Sequence, residues 1–200
     1  MKRCAIVLFA LALELSSVRA TAAPGPDRIA ALYQRALAGD VPAVVRCIDA
    51  LEAVLKSEPE NQLARVYLGS AYTLRSRDLG FGREKLDALK QGLALMDSAA
   101  TAAPANARVR LVRAVTNQSM PFFLGRRKVA RDELYALTEI IQRDPTKLTA
   151  NDQQLLYLNA GLAAKQDGDK ETAVKFFRLG LTKPADPKLT AELNAALAKL

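Results

Sequence analysis

The sequence of 200 residues contains no histidine and only two cysteines, Cys4 and Cys47. The absence of histidine excludes Ser-His-Asp and Cys-His catalysis, histidine zinc sites and histidine pH switches. Two distant cysteines cannot form a CxxC redox pair or a thiolate metal cluster. Half of the residues are hydrophobic and a quarter are charged, so the chain can bury a core. The 29 basic and 21 acidic residues give a formal net charge of +8.

The first 23 residues have the order that is typical of a secretory signal peptide. A basic start is followed by an uninterrupted apolar run, residues 4–13, and then by small residues with A-x-A spacing. A helix of ten residues spans about 15 Å, which is too short for a bilayer core of about 30 Å. We therefore expect a mature chain that begins between Thr21 and Pro24, without a transmembrane segment, secreted to the periplasm. An uncleaved anchor is the alternative.

The pattern of apolar residues predicts that residues 24–200 form one all-α domain. Apolar side chains recur at i, i+3 and i+4, most clearly over residues 43–55 and 189–200. Alternating strand patterns are not evident. Cys47 lies in the first of these stripes, so we expect a small buried residue there and not a nucleophile.

Prolines divide this helical pattern at similar intervals. Pro59, Pro104, Pro145 and Pro184 each follow an amphipathic stretch, at spacings of 45, 41 and 39 residues. Because proline disfavours a helical residue before it, each one separates two helices. The predicted helical hairpins cover residues 27–58, 61–103, 106–144 and 150–183. A final helix over residues 187–199, with Asp186 as its N-cap, would cover the end of the stack.

Two of these units resemble the tetratricopeptide repeat. Residues 65–72 read R-x2-L-G-x2-Y, which lacks only the leading aromatic residue of the first helix motif. Residues 157–164 read Y-x2-A-G-x2-A, and A-x3-F follows at residues 173–177. The resemblance implies a right-handed stack of antiparallel helical hairpins, an α-solenoid. It also implies that Gly161 and Ala173 lie where paired helices touch, beside Phe177 and Tyr157. An irregular α-bundle is the alternative.

A basic and aromatic edge is the candidate binding site. Residues 98–131 contain seven basic residues and no acidic one, and include the segment Pro-Phe-Phe-Leu-Gly. The second hairpin carries a similar Gly-Phe-Gly-Arg segment between its helices. In a stack of hairpins, equivalent turns lie along one edge, so these residues would line up. The candidate binding residues are Arg75, Arg77, Phe81, Arg83, Arg110, Arg113, Phe122, Phe123, Arg126 and Arg127.

Ordinary structural roles for the same residues remain open. Phe122 and Phe123 would then fill the gap under a long turn, and the arginines would be solvated or paired with Glu84, Asp87, Asp132 or Glu133. Arg113 occupies a repeat position where a buried leucine is usual. Either the repeat frame slips here, or the guanidinium points into the stack and needs a partner.

These features favour a non-catalytic, exported scaffold that binds a protein partner in the cell envelope. The contact would use the concave face of the stack or the basic aromatic edge. An anionic ligand, a lipid or a polysaccharide is a further candidate partner, whereas export disfavours nucleic acid. The alternatives are a small-ligand-binding accessory of an envelope transporter and a histidine-independent enzyme. No cofactor or metal is expected, because Gly80–Lys85 lacks the third glycine of a dinucleotide site and follows no predicted strand.

Overall fold

Helices account for all the regular structure in residues 25–200, the part of the chain that the computed structural model describes. The expected signal segment, residues 1–23, lies outside this part. The nine helices of residues 25–200 are α1 (Pro26–Leu37), α2 (Val41–Ser57), α3 (Gln62–Asp78), α4 (Arg83–Ala102), α5 (Ala107–Gln118), α6 (Arg127–Arg143), α7 (Ala150–Gln166), α8 (Lys170–Leu181) and α9 (Pro187–Leu197). Short 3₁₀ segments lie at Phe122–Leu124 and Pro145–Lys147. The predicted all-α class is confirmed.

Side-chain caps explain where most of these helices begin. Asn61 and Asn106 stand two residues after Pro59 and Pro104, and their side chains accept hydrogen bonds from the first turns of α3 and α5. The remaining side-chain caps of α-helices are Asp40, Thr149, Asp169 and Asp186. Each cap satisfies backbone N–H groups that the first helical turn leaves unpaired. The even helices end two or three residues before one of the four spaced prolines.

Consecutive helices pack in pairs, and the pairs pack in chain order. The odd helices also contact each other in the series α1, α3, α5, α7 and α9, while each even helix packs on the odd helix that follows it. Among the described residues, no two even helices share more than a marginal contact. The odd helices therefore form a continuous layer, and the even helices form a second layer behind it. This arrangement is consistent with a helical repeat fold.

Hydrogen bonds between neighbouring odd helices show that these helices run parallel. They join atoms at matching heights: Arg77 Nη2 to the Ala36 carbonyl at 3.1 Å, Ser70 Oγ to Thr116 Oγ1 at 2.9 Å, and Gln118 Nε2 to Gln166 Oε1 at 2.8 Å. The first of these lies at the carboxyl ends of α3 and α1, and the last at those of α5 and α7. The turns that lead from odd to even helices therefore share one edge of the molecule.

Small residues allow the paired helices to approach closely. A Cβ atom at Gly161 would overlap the ring of Phe177, which is fully buried on the partner helix. A Cβ at Gly69 would lie 2.6 Å from the carbonyl oxygen of Gly92 in α4. The predicted contact of Gly161 with the helix that carries Ala173 and Phe177 is confirmed.

The core lies between the two layers, and α9 covers its carboxyl-terminal end. The predicted apolar stripe of α2 is buried, with Cys47 at 0% exposure. In α9, Leu193 is also at 0% exposure and packs in a cluster with Ala173 and Phe177. The Asp186 cap and the Pro187 start of α9 match their predicted positions.

Candidate functional site

The candidate site predicted from the sequence lies at the turns between odd and even helices. We name the first three of these turns, residues 38–40, 79–82 and 119–126, the turn edge. Phe81 occupies the second turn and is fully exposed, between Gly80 and Gly82. Phe122 and Phe123 occupy the third turn, at 76% and 73% exposure. These three rings therefore face solvent.

Other residues of the third turn hold it against the helices. Met120 is 6% exposed, and both Met120 and Leu124 pack in a cluster with Met96 of α4. Gly125 has φ 68°, a backbone conformation that suits glycine, and it ends the 3₁₀ segment. The gap under the long turn is thus filled by Met120 and Leu124, and not by the two phenylalanines.

Arg110 and Arg113 lie on α5 and pair with one poorly exposed carboxylate. Both guanidinium groups donate to Glu133 of α6; the bond from Arg110 Nε to Glu133 Oε1 is 2.5 Å long. The three side chains are only 10–21% exposed. The Arg113 guanidinium points into the stack and finds the partner that such a position requires.

Asp97 of α4 extends this network to the third turn. It lies 3.6 Å from Arg113 Nη1 and accepts a hydrogen bond of 2.9 Å from Arg126 Nη1. Arg127 donates to the carbonyl oxygen of Met120 at 3.1 Å. These contacts fix the turn to α4 and α5, so Arg113 and Arg126 have structural partners.

The arginines of the second hairpin are more exposed. Arg77 pairs with Asp78 and donates a hydrogen bond to the Ala36 carbonyl at the end of α1. Arg83 is 93% exposed and lies 3.5 Å from Asp87, a contact typical of a weak surface pair. Arg75 is also exposed, at the end of α3.

The acid-free segment is largely neutralised by carboxylates that lie outside it. Six of its seven basic residues lie within 4 Å of an acidic side chain. Those acidic partners are Asp97, Asp132, Glu133, Asp152 and Asp167. The segment therefore does not present a bare basic patch, and the exposed phenylalanines become the main feature of the turn edge.

A second surface, whose individual residues the sequence did not identify, crosses the odd helices. A hydrogen-bonded chain joins Tyr33 of α1 to Ser70 at 2.8 Å, and Ser70 to Thr116 of α5 at 2.9 Å. The Thr116 hydroxyl donates its proton to the carbonyl of Val112. Ser70 therefore donates to Thr116, and Tyr33 donates to Ser70. Burial raises the pKa of the Tyr33 hydroxyl, which keeps it a neutral donor.

An aromatic and charged row continues this surface to α7. The Tyr67 ring lies edge-on to Tyr33, with centroids 4.9 Å apart. Arg108 of α5 reaches the Tyr67 hydroxyl at 3.5 Å and Asp152 of α7 at 3.6 Å. The Arg108 side chain is 46% exposed, whereas that of Asp152 is 10% exposed. We name these residues, Tyr33, Tyr67, Ser70, Arg108, Thr116 and Asp152, the odd-helix face.

Sequence reasoning missed the odd-helix face because its residues are spread over four helices. The available signal was the position of Tyr67 and Ser70, which flank the Leu-Gly pair of the repeat motif at residues 68 and 69. Gly69 is where α3 touches α4, and residues beside it on α3, such as Tyr67 and Ser70, point towards the neighbouring hairpins. Which residues they meet there depends on the packing of the hairpins.

Two depressions in the surface are candidate small-molecule sites. One, of about 480 Å³, is lined by residues of α8 and by Thr182, which caps its carboxyl end. The other, of about 340 Å³, lies beside the third turn and is lined by Gln118, Arg127 and Arg131 among others. Within the described residues, the Gln118 Oε1 atom accepts no hydrogen bond from the chain.

Residues 25–200 form neither a metal site of three or more cysteine or acidic side chains nor a membrane-spanning helix. None of the helices in that range has both the length and the apolar composition needed to cross a bilayer. Burial raises the pKa of the Cys47 thiol to about 11, so this thiol stays protonated and unreactive near neutral pH, as its predicted structural role requires.

Comparison with known proteins supplies no relative: no family model, no curated protein and no solved structure significantly matches this chain.

Proposed function

We propose that this protein is a non-catalytic, exported scaffold that binds a protein partner through the odd-helix face. The fold we propose is a right-handed stack of tetratricopeptide-like hairpins. The repeat motifs at residues 65–72 and 157–177 support it, together with the close contacts at Gly69 and Gly161. Export is proposed from the order of basic, apolar and small residues in positions 1–23.

The observation that carries the binding proposal is the row of linked side chains across four parallel helices. In a curved two-layer stack, the layer with closer helix contacts is the inner one, and here that layer is formed by the odd helices. Tyr67 and Arg108 belong to the residue types that most often dominate protein interfaces. Their contacts with Tyr33 and Asp152 hold them in place before binding, which lowers the entropy lost on association.

Small-ligand binding has weaker support. The larger depression is formed by one face of a single helix, α8, whereas ligand pockets usually enclose most of the ligand. The smaller depression is polar and adjoins the turn edge. An enzyme that works without histidine would need converging carboxylates. Asp132 and Glu133, which are adjacent in sequence, instead diverge towards different arginines.

The test is a quantitative affinity capture of partners from envelope extracts with two matched arginine variants. Arg108→Ala removes an exposed guanidinium from the odd-helix face, while Arg178→Ala removes one from the surface of α8. We expect Arg108→Ala to weaken capture of a specific partner by about 1–3 kcal/mol, and Arg178→Ala to leave it unchanged. Thermal melts of both variants check that the fold persists. Equal capture by both variants would contradict the proposal.

A further inference from the structure

Large apolar side chains that face solvent are concentrated at the turn edge. In the part of the chain that the structure describes, the large hydrophobic residues with high exposure are Leu37, Val41, Val45, Phe81, Leu86, Phe122, Phe123 and Val129. All of them lie in the three turns of the turn edge or within five residues of them. The opposite edge and the fourth turn, residues 167–169, contribute none. A concentration of this kind marks an interaction surface.

We propose that the turn edge docks onto an anionic lipid bilayer, with Phe81, Phe122 and Phe123 inserted into the interfacial region. The neighbouring basic side chains would lie at the level of the lipid phosphates. This surface is separate from the odd-helix face, so the proposal does not depend on the protein partner proposed above.

The shape of the turn edge favours a bilayer over a folded protein partner. Phe81 stands at the tip of one turn and is fully exposed, and the rings of Phe122 and Phe123 stand on another, with centroids 6.0 Å apart. A protein interface needs a continuous, complementary surface around such anchors. A fluid bilayer accepts separate protruding rings without a preformed cavity, because the lipids rearrange around them.

The charge of the turn edge also fits an anionic surface. Residues 35–46, 75–87 and 119–132 together contain ten basic and five acidic residues. Two further carboxylates, Asp97 and Asp167, pair with Arg126 and Arg131, so the surroundings of these turns keep a smaller net positive charge. Residues 165–172 around the fourth turn contain two basic and three acidic residues. The three turns with exposed hydrophobic residues are thus surrounded by an excess of basic residues. The fourth turn, which has no exposed hydrophobic residue, is surrounded by an excess of acidic ones. Basic residues near a membrane surface are attracted to anionic lipids.

Two basic side chains are placed to contact headgroups directly. The Arg83 side chain, two residues after Phe81, is 93% exposed, and that of Lys128 is 78% exposed. Lys128 also lines the depression beside the third turn, together with Arg127 and Arg131. Long basic side chains bury their aliphatic stems while the charge stays at the interface.

The test uses tryptophan as a probe, because the chain contains none. Phe123→Trp places the probe on the turn edge, and Ala105→Trp places it in an exposed turn at the opposite edge. Full-length variants would be mixed with vesicles of phosphatidylglycerol and phosphatidylcholine that contain brominated lipid. We expect a blue shift and quenching at position 123, and neither at position 105. All variants carry the same residues 1–23, so any affinity of that segment is common to them.

Sedimentation with the same vesicles measures how much the exposed phenylalanines and the basic side chains contribute to vesicle binding. The triple variant Phe81→Ser, Phe122→Ser and Phe123→Ser should lower partitioning at least about tenfold, with little change in the melting temperature because the rings are exposed. Arg83→Glu with Lys128→Glu should weaken binding to anionic vesicles several-fold.

A matched charge control lies at the opposite edge. Arg143→Glu with Lys147→Glu makes the same change in net charge on exposed side chains near the end of α6, and it should leave binding within about twofold of the original protein. Unquenched tryptophan at position 123, equal partitioning of the triple variant, or equal binding to neutral vesicles would overturn the proposal. The proposal would also be overturned if the triple variant kept its vesicle binding but lost a captured protein partner. That result would assign the turn edge to a protein partner.

Discussion

Individual arginines in this chain take different roles according to what the neighbouring helices place beside them. Arg110 and Arg113 share Glu133, Arg126 binds Asp97, and Arg83 remains exposed. The sequence predicted that Arg113 needs a partner if its side chain points inward, and it named Glu133 among the acidic candidates. It could not assign the pair, because the two residues lie on different helices and meet only when α5 packs on α6.

The Glu133 carboxylate should therefore matter more for stability than its neighbour in sequence. Glu133→Gln removes the charge that two poorly exposed guanidinium groups share, so we expect a loss of about 2–3 kcal/mol in the free energy of unfolding, somewhat less than for a fully buried pair. Urea denaturation of the purified protein measures it. Asp132→Asn, at an exposed carboxylate, is the control and should change little. Equal effects of the two substitutions would show that the network does not stabilise the fold.

At the scale of elements, the spacing of prolines and small residues already contains much of the architecture. Proline at residues 59 and 104, followed by asparagine two residues later, marks the end of one helix and the cap of the next. The all-α class could be predicted from such signals because they are local, whereas the contact at Gly161 is implied by the resemblance of residues 157–177 to the tetratricopeptide repeat. The same resemblance implies a stack of hairpins, but it could not predict which side chains meet between hairpins, since that depends on how the hairpins pack.

The contact between Gly161 and Phe177 offers a direct test of how α7 and α8 pair. Gly161→Leu should cost about 1–3 kcal/mol or more, because its side chain would overlap the buried ring. Phe177→Ala should cost about 3–5 kcal/mol through the cavity it leaves. Because the two residues touch, the double variant should lose less stability than the sum of the single losses. Thermal or urea melts that show strict additivity, or no effect, would contradict this pairing.

At the scale of the whole molecule, the layered fold carries two surfaces with different chemistry. The odd-helix face is a linked row of polar and aromatic side chains along the helices, and the turn edge is a set of protruding phenylalanines at their ends. The sequence predicted Phe81, Phe122 and Phe123 of the turn edge as candidate binding residues, because aromatic, glycine and arginine recur between the helices of two hairpins. The sequence also predicted a basic edge, whereas the structure pairs six of the seven basic residues within residues 98–131 with acidic side chains and leaves the three phenylalanine rings exposed.

The most direct test of the proposed scaffold function is photo-crosslinking in living cells. A photoreactive phenylalanine analogue at Tyr67 lies on the odd-helix face, and the same analogue at Lys90 lies on an exposed position of α4, an even helix. The account predicts a discrete covalent adduct with one protein partner from position 67 and none from position 90. Adducts from position 90 alone, or the same adduct from both positions, would contradict the assignment of the odd-helix face as the binding surface.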